Sequence, residues 1–199
     1  MKIVVLIFYS AATVILSIAL SSPVILAQDQ NSSDALEAFL KKYVELYKKQ
    51  DYTGVAELMH PLELSEFKTS AVHLMKTADS AEIKYLWPIY YNKYGYDFTP
   101  LYEMDSVAFY AEFMKLAMEN SSVENISELV ANADYEILEK HIDSDTLAGI
   151  SYNLIIKLPD GEQKSIPDLL IMKKYNNRWT MKFKEDIKKF FKLIEKSRE

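Results

Sequence analysis

The residues able to do chemistry are few, and their types narrow the choice. The chain has no cysteine, which excludes disulfides, thiolate nucleophiles, zinc–thiolate sites and iron–sulfur clusters. His60, His73 and His141 are its three histidines, and they form neither a His-x-x-x-His pair nor a His-Glu pair, so no metal site is expected. Four glycines cannot supply a Gly-x-Ser-x-Gly elbow, a phosphate loop or a dinucleotide fingerprint. Phenols and carboxylates remain, groups that donate, accept or move protons. Tyr43 and Tyr47, one helical turn apart, are candidate hydroxyl donors, and also natural core residues of an amphipathic helix. Asp97, Asp134 and Glu139 are the candidate carboxylates. His141 alternates with Tyr135, Ile137 and Glu139, which places it either on the inward face of a strand or partly exposed there. No cofactor is expected.

The most concentrated feature is YLWPIYYNKYGYDFTPLY, residues 85–102, with six tyrosines. Trp87, Tyr90, Tyr94 and Tyr96 are candidate ligand-binding rings, because tyrosine and tryptophan combine large stiff area with a polar tip. Three outcomes stay open: ordinary packing, a pocket wall or lid, and a partner surface. The segment 79–104 reads as a long connection without strong periodicity, the kind that serves as a lid or binding loop.

Lys2 precedes an apolar run from Ile3 to Leu20, and polar residues begin abruptly after Ala27. This is the pattern of a secretory signal peptide over residues 1–27, with an uncleaved membrane anchor as the alternative, and either places the remainder outside the cytoplasm. With 49% hydrophobic and 26% charged residues the composition is ordinary for one globular domain. Residues 29–172 hold twelve Lys/Arg against twenty-five Asp/Glu, which argues against a nucleic-acid partner. Residues 173–199 hold ten against four. There, Ile187, Phe190, Phe191 and Ile194 share one face of an amphipathic helix over 185–199, suited to docking on the domain, to an acidic protein partner or to an anionic membrane surface.

These residues need elements to hold them. Asp34 with Glu37 makes a capping-box pattern for a first helix carrying Leu36, Leu40, Tyr43, Val44 and Tyr47. Asp51 caps a second helix, Pro61 opens a third, and Asp105 or Ser106 caps a deeply buried one to about Glu119. A short helix around 123–131 follows. Beyond Asn132 the period changes to two, giving strands at about 135–142, 148–158, 165–175 and 179–183 with turns at Pro159-Asp160-Gly161 and Asn176-Asn177. Helices followed by a strand meander make an α+β fold, one domain over 33–184, with the N-terminal helices packed in a curved antiparallel sheet.

The helical hairpin FLKKYVELYKKQDYTGVAELMHPLELSEF and the meander TLAGISYNLIIKLPDGEQKSIPDLLIMKKYNNRWTMKF resemble the nuclear transport factor 2-like (SnoaL-like) superfamily, in particular its exported bacterial members. The resemblance covers most of residues 35–183 and leaves 79–104 unmatched. It implies a cone-like sheet with an interior pocket, and it implies no single function, since enzymes such as ketosteroid isomerase share the fold with non-catalytic binding modules. The expectation is an exported non-catalytic domain that binds a small molecule or a protein, with a pocket bordered by residues 85–102. The alternatives are an acid/base isomerase or dehydratase, pairing a tyrosine with carboxyls in the cone, and an interaction module using the basic C-terminal helix.

Overall fold

Six of the helices open at a capping carboxylate or have a proline in the first turn. The computed structural model describes residues 30–121, 125–158, 160–183 and 189. The expected signal peptide over 1–27 lies outside these residues, as does the expected C-terminal helix over 185–199 apart from Lys189. Helix α1 spans Gln30–Lys48 and begins a turn earlier than the capping pattern suggests. Asp34 is therefore inside the helix, and Glu37 accepts from Lys140 Nζ at 2.8 Å instead of closing a capping box. Asp51 caps α2 (Tyr52–Glu57), its Oδ1 accepting from Gly54 N at 2.8 Å. Pro61 stands in the first turn of α3 (Pro61–Thr77), after an extended His60.

The connection expected to be irregular is helical. Asp79 and Glu82 form a reciprocal capping box at the start of α4 (Ser80–Leu86). Pro88 then opens α5 (Pro88–Tyr94), and Pro100 lies in the first turn of α6 (Thr99–Glu103). The two prolines restart the chain as helix. Gly95, at φ 62°, ends α5 in a conformation that costs other residues steric strain. Asp105 caps α7 (Ser106–Glu119) through Ala108 N at 2.8 Å, and α8 covers Ile126–Ala131.

Strands β1 (Asp134–Ser144), β2 (Leu147–Lys157), β3 (Gln163–Tyr175) and β4 (Arg178–Met181) form one antiparallel sheet in sequence order. The Asn176–Asn177 turn takes positive φ at both residues, which matches the twist of a tight hairpin. The mixed α+β architecture with an antiparallel meander is as expected.

The sheet register decides what faces the helices. Ile137 pairs with Tyr152 and Tyr152 with Asp168; Ile142 pairs with Ala148, Ala148 with Met172, and Met172 with Met181. Ala148, Ile150, Tyr152, Leu170, Met172 and Met181 in these rows are buried. The alternate rows, Glu139–Ser151–Leu169 and His141–Gly149–Ile171, face away. Between Ile137 and Glu139 the register slips by one residue, leaving Leu138 as a bulge, 55% exposed.

The core lies between this sheet face and the helices. Phe67 on α3 is its hub, meeting Phe109, Tyr110 and Phe113 of α7 edge on and stacking on Phe183 at 5.2 Å. The α2–α3 elbow is tied to the last strand: Met181 N donates to Leu58 O at 2.7 Å, and His60 N donates to Met181 O at 2.8 Å. Glu63 Oε2 accepts from Phe183 N at 2.6 Å.

Candidate functional site

The aromatic segment divides into two populations by the direction its short helices face. Trp87 (3% exposed), Tyr90 (0%) and Phe98 (2%) are core residues. Trp87 and Tyr90 lie 6.0 Å apart, and Tyr90 continues into Phe109 and Phe113 at 6.0 and 6.3 Å. Trp87 and Tyr90 are thus packing residues and not an open ligand surface. Burial of their apolar area against α7 outweighs any gain from presenting them to water.

The outward rings are each matched to a lysine. The Lys84 ammonium lies 5.2 Å from the Tyr91 ring and 5.7 Å from that of Tyr96, and these two rings meet edge on at 5.1 Å. Tyr96 is 52% exposed, and its hydroxyl is held below the usual phenol range, chiefly by hydrogen bonding with Lys84. Tyr94 donates to Glu112 Oε1 at 2.8 Å under the Lys93 ammonium, which also pairs with Glu112. Burial pushes the Glu112 carboxyl up, but the hydrogen bonds from Lys93 and Tyr94 prevail and hold it low. Lys76 covers Tyr102 at 4.8 Å.

Tyr43 and Tyr47 do come together, and with partners the sequence reading missed. Both are half-buried on α1, their rings edge to face at 5.4 Å and 62°. Tyr47 meets Tyr52 of α2 at 6.4 Å and 89°. Burial raises the Tyr43 phenol well above its ordinary range, and Tyr47, Tyr152, Tyr110 and Asp168 reinforce the shift electrostatically. Tyr47 is raised by burial, then by Tyr110, Tyr52 and Asp168; Tyr152 by burial, then by Asp168. The Tyr152 hydroxyl donates to Asp168 Oδ2 at 3.0 Å. A phenol cluster around one carboxylate therefore sits between α1, α7 and the helix-facing side of β2 and β3. It consists of neutral hydroxyls, able to donate and accept, beside a fixed acceptor. The aromatic segment reaches it through Tyr90, Phe113 and Tyr110.

Of Tyr110, Tyr152 and Asp168, Asp168 had a legible signal. Asp168 is the lone charge in the alternating row Ile166, Asp168, Leu170, Met172. The carboxylates singled out from sequence stand elsewhere. Asp97 Oδ1 accepts from Thr99 N at the start of α6, Asp134 is exposed at the start of β1, and Glu139 is exposed in the outward row. His141 is also outward: Leu138 adds one residue to β1, so Lys140 takes the helix-facing place. The His141 side chain is 68% exposed, with Nε2 2.6 Å from Asp143 Oδ1.

Two recesses are defined by described residues. One of about 320 Å³ lies beside Asp34, Glu37, Ala38 and Lys41. The other, about 300 Å³, is lined by Gln50, Tyr52, Lys115, Met118, Glu119 and Ser127, and so reaches the phenol cluster at Tyr52. Among the described residues no group of three or more His, Asp and Glu side chains is placed to hold a metal, and no helix is long and apolar enough to cross a membrane.

No family model matches the chain, and no curated protein matches it. Among solved structures, the chain is similar to an NTF-2-like protein of unknown function from Shewanella oneidensis MR-1. The similarity has 14% identity and a TM-score of 0.40, and it covers 75% of this chain and 93% of that one.

Proposed function

We infer that the chain is an exported, non-catalytic binding domain of the nuclear transport factor 2-like kind. Its sheet curls as an open cone, and its small-molecule site is the Tyr43–Tyr47–Tyr110–Tyr152–Asp168 cluster. One observation carries this reading. Tyr43 and Tyr47 retain accessible surface while their hydroxyl environment is desolvated and shared with Tyr152 and Asp168. The recess of about 300 Å³ that reaches the cluster at Tyr52 supports it, since ligand sites usually combine a recess with a few converging polar groups. The Leu138 bulge supports the cone, since a bulge bends its strand and increases local twist. A thermal-shift screen of small molecules tests the proposal. Hits should raise the melting temperature of the parent chain and lose their effect in Tyr47→Leu. A screen without hits, or hits indifferent to Tyr47→Leu, would count against it.

The Tyr152–Asp168 hydrogen bond favours a second reading, in which Asp168 is a general base and a neutral phenol stabilises the developing oxyanion. Under it, a carbonyl ligand from the screen exchanges its α-hydrogen for solvent deuterium, and Asp168→Asn stops the exchange. Binding without exchange returns the reading to the non-catalytic one.

A further inference from the structure

We propose that the recess at Tyr52 binds a small zwitterion, of the kind formed by a free amino acid with an apolar side chain. The inference goes beyond the reading of the phenol cluster, because Tyr43, Tyr47, Tyr110, Tyr152 and Asp168 do not line this recess. Its walls come from three places in the fold. Gln50 stands in the turn between α1 and α2 at φ 56°, next to Tyr52 on α2. Lys115, Met118 and Glu119 share one face of α7 near its end, and Ser127 belongs to α8. The volume of about 300 Å³ is at the small end for ligand pockets, which suits a molecule of amino-acid size.

An orphaned group points to a ligand. Tyr52 is 8% exposed, and its hydroxyl is buried with no hydrogen-bond partner among the described residues. A buried donor without an acceptor is costly, so such hydroxyls are normally satisfied. The Tyr47 ring, 6.4 Å away at 89°, holds the Tyr52 ring in place. Burial, and then the charge of Glu119, another wall of the same recess, raise the Tyr52 phenol above its ordinary range. It therefore keeps its proton and is a donor that lacks an acceptor.

The charges select the ligand. Lys115 Nζ and Glu119 Oε1 are 3.9 Å apart, and both side chains are about half exposed. A lysine one turn before a glutamate is the weaker order for a helical ion pair, so each keeps capacity for another partner. An anion alone would be opposed by Glu119, and a cation alone by Lys115. A zwitterion answers both: its carboxylate accepts from Lys115 and from the Tyr52 hydroxyl, and its ammonium donates to Glu119. Met118, 5% exposed, offers an adaptable apolar surface to the side chain.

The test is titration of the full chain with L-leucine and with two analogues that each lack one charge, 4-methylpentanoate and 3-methylbutylamine. It is read by calorimetry and by the Met118 methyl NMR signal, assigned through its loss in Met118→Leu. Leucine is expected to shift that signal and to bind at least roughly tenfold more tightly than either analogue, the scale of one charge-assisted hydrogen bond. Tyr52→Phe should weaken leucine by about tenfold, and Lys115→Gln and Glu119→Gln by about three- to fivefold each. Lys41→Gln, at the other recess, should change it by less than about twofold. Tyr52→Phe should also leave the melting temperature of the unliganded chain undiminished, whereas loss of a hydroxyl with a structural partner would lower it. Equal binding of the three compounds, an unmoved Met118 signal, or dependence on Lys41 in place of Lys115 overturns the inference. If leucine fails while a compound from the thermal-shift screen binds through Tyr47 and ignores Lys115→Gln, the zwitterion site falls and the proposed function stands. If nothing binds, both fall.

Discussion

The Tyr152 hydroxyl and the Asp168 carboxylate face each other across the β2–β3 pair, joined at 3.0 Å, on the side of the sheet that carries the helices. The other Asp168 oxygen accepts from Leu169 N at 2.8 Å, so the carboxylate is held at both ends. Asp168→Ala should cost about 1–3 kcal/mol, because it leaves a buried phenol without its acceptor. Asp168→Asn keeps an acceptor oxygen and should cost less. Urea midpoints of the two variants check the order, and a larger loss for Asn would refute it.

Alkaline pH separates the buried phenols from the exposed ones. Tyr43, Tyr47, Tyr110 and Tyr152 are all raised, in each case chiefly by burial. Above about pH 10 the unfolded chain gives up phenolic protons that the folded chain keeps. Their contribution to stability is therefore complete below about pH 10 and declines as pH rises towards the folded values. In a phenolate absorbance titration these four should ionise only as the chain unfolds. Tyr96, lowered by Lys84, should ionise first and reversibly, and Tyr96→Phe should delete that first step alone.

Deleting Leu138 removes the bulge and restores strict alternation in β1. Glu139, Lys140 and His141 would keep their places opposite Ser151, Ile150 and Gly149, so His141 would stay outward and Lys140 would keep Glu37, its partner at 2.8 Å. The expected result is a folded protein whose His141 reacts with diethyl pyrocarbonate as readily as the exposed His141 of the parent. Protection of His141 in the deletion variant would show that Leu138 is not the extra residue of the strand.

Two glycines should fail for different reasons. A Cβ at Gly54 would stand 2.7 Å from Asp51 Oδ2 and 2.8 Å from Leu46 Cδ2, displacing the cap of α2. A Cβ at Gly95 would meet nothing within 4 Å, but φ is +62° there, a backbone strain of about 1–3 kcal/mol. Gly54→Ala should therefore lose stability through the cap, and combining it with Asp51→Ala should cost less than the sum. Gly95→Asn should be milder than Gly95→Ala, because asparagine tolerates positive φ better. Thermal midpoints decide both comparisons.

The chain has two tryptophans, and they should report different environments. Trp87 is 3% exposed, while Trp179 is half-buried with the Lys174 ammonium 5.0 Å from its ring. Trp179→Phe should leave a blue emission that acrylamide hardly quenches, and Trp87→Phe a redder, accessible one. Ready quenching of Trp87 would place the aromatic segment outside the core.

The elements with long periods were legible. The β2 residues Ala148, Ile150 and Tyr152 alternate and are buried as expected, and Asp51, Pro61 and Asp105 mark real helix starts. The segment 79–104 was not legible, because helices of five to seven residues are too short to show a 3.6-residue repeat. The facing of His141 stayed open because a bulge has no compositional mark, and one extra residue reverses every side chain beyond it. Tyr43 and Tyr47 could be paired from their spacing, but Tyr110, Tyr152 and Asp168 reach them only through tertiary packing. Whether Trp87 and Tyr90 pack, wall a pocket or face a partner stayed open because a tyrosine-rich string does not reveal which side of a short helix docks.

The bridge between Met59 and Met181 gives the two margins of the sheet unequal exposure to other chains. Along β4, hydrogen bonds to Leu58 and from His60 already occupy backbone groups that an incoming strand would need. Among the described residues no strand pairs with the free side of β1. Strand addition or strand exchange would have to begin there. That margin carries Glu136, Glu139 and Lys140 and a bulge at Leu138, features that oppose edge-to-edge pairing between molecules. The Leu138 residue that turns His141 outward thus also guards this margin against aggregation.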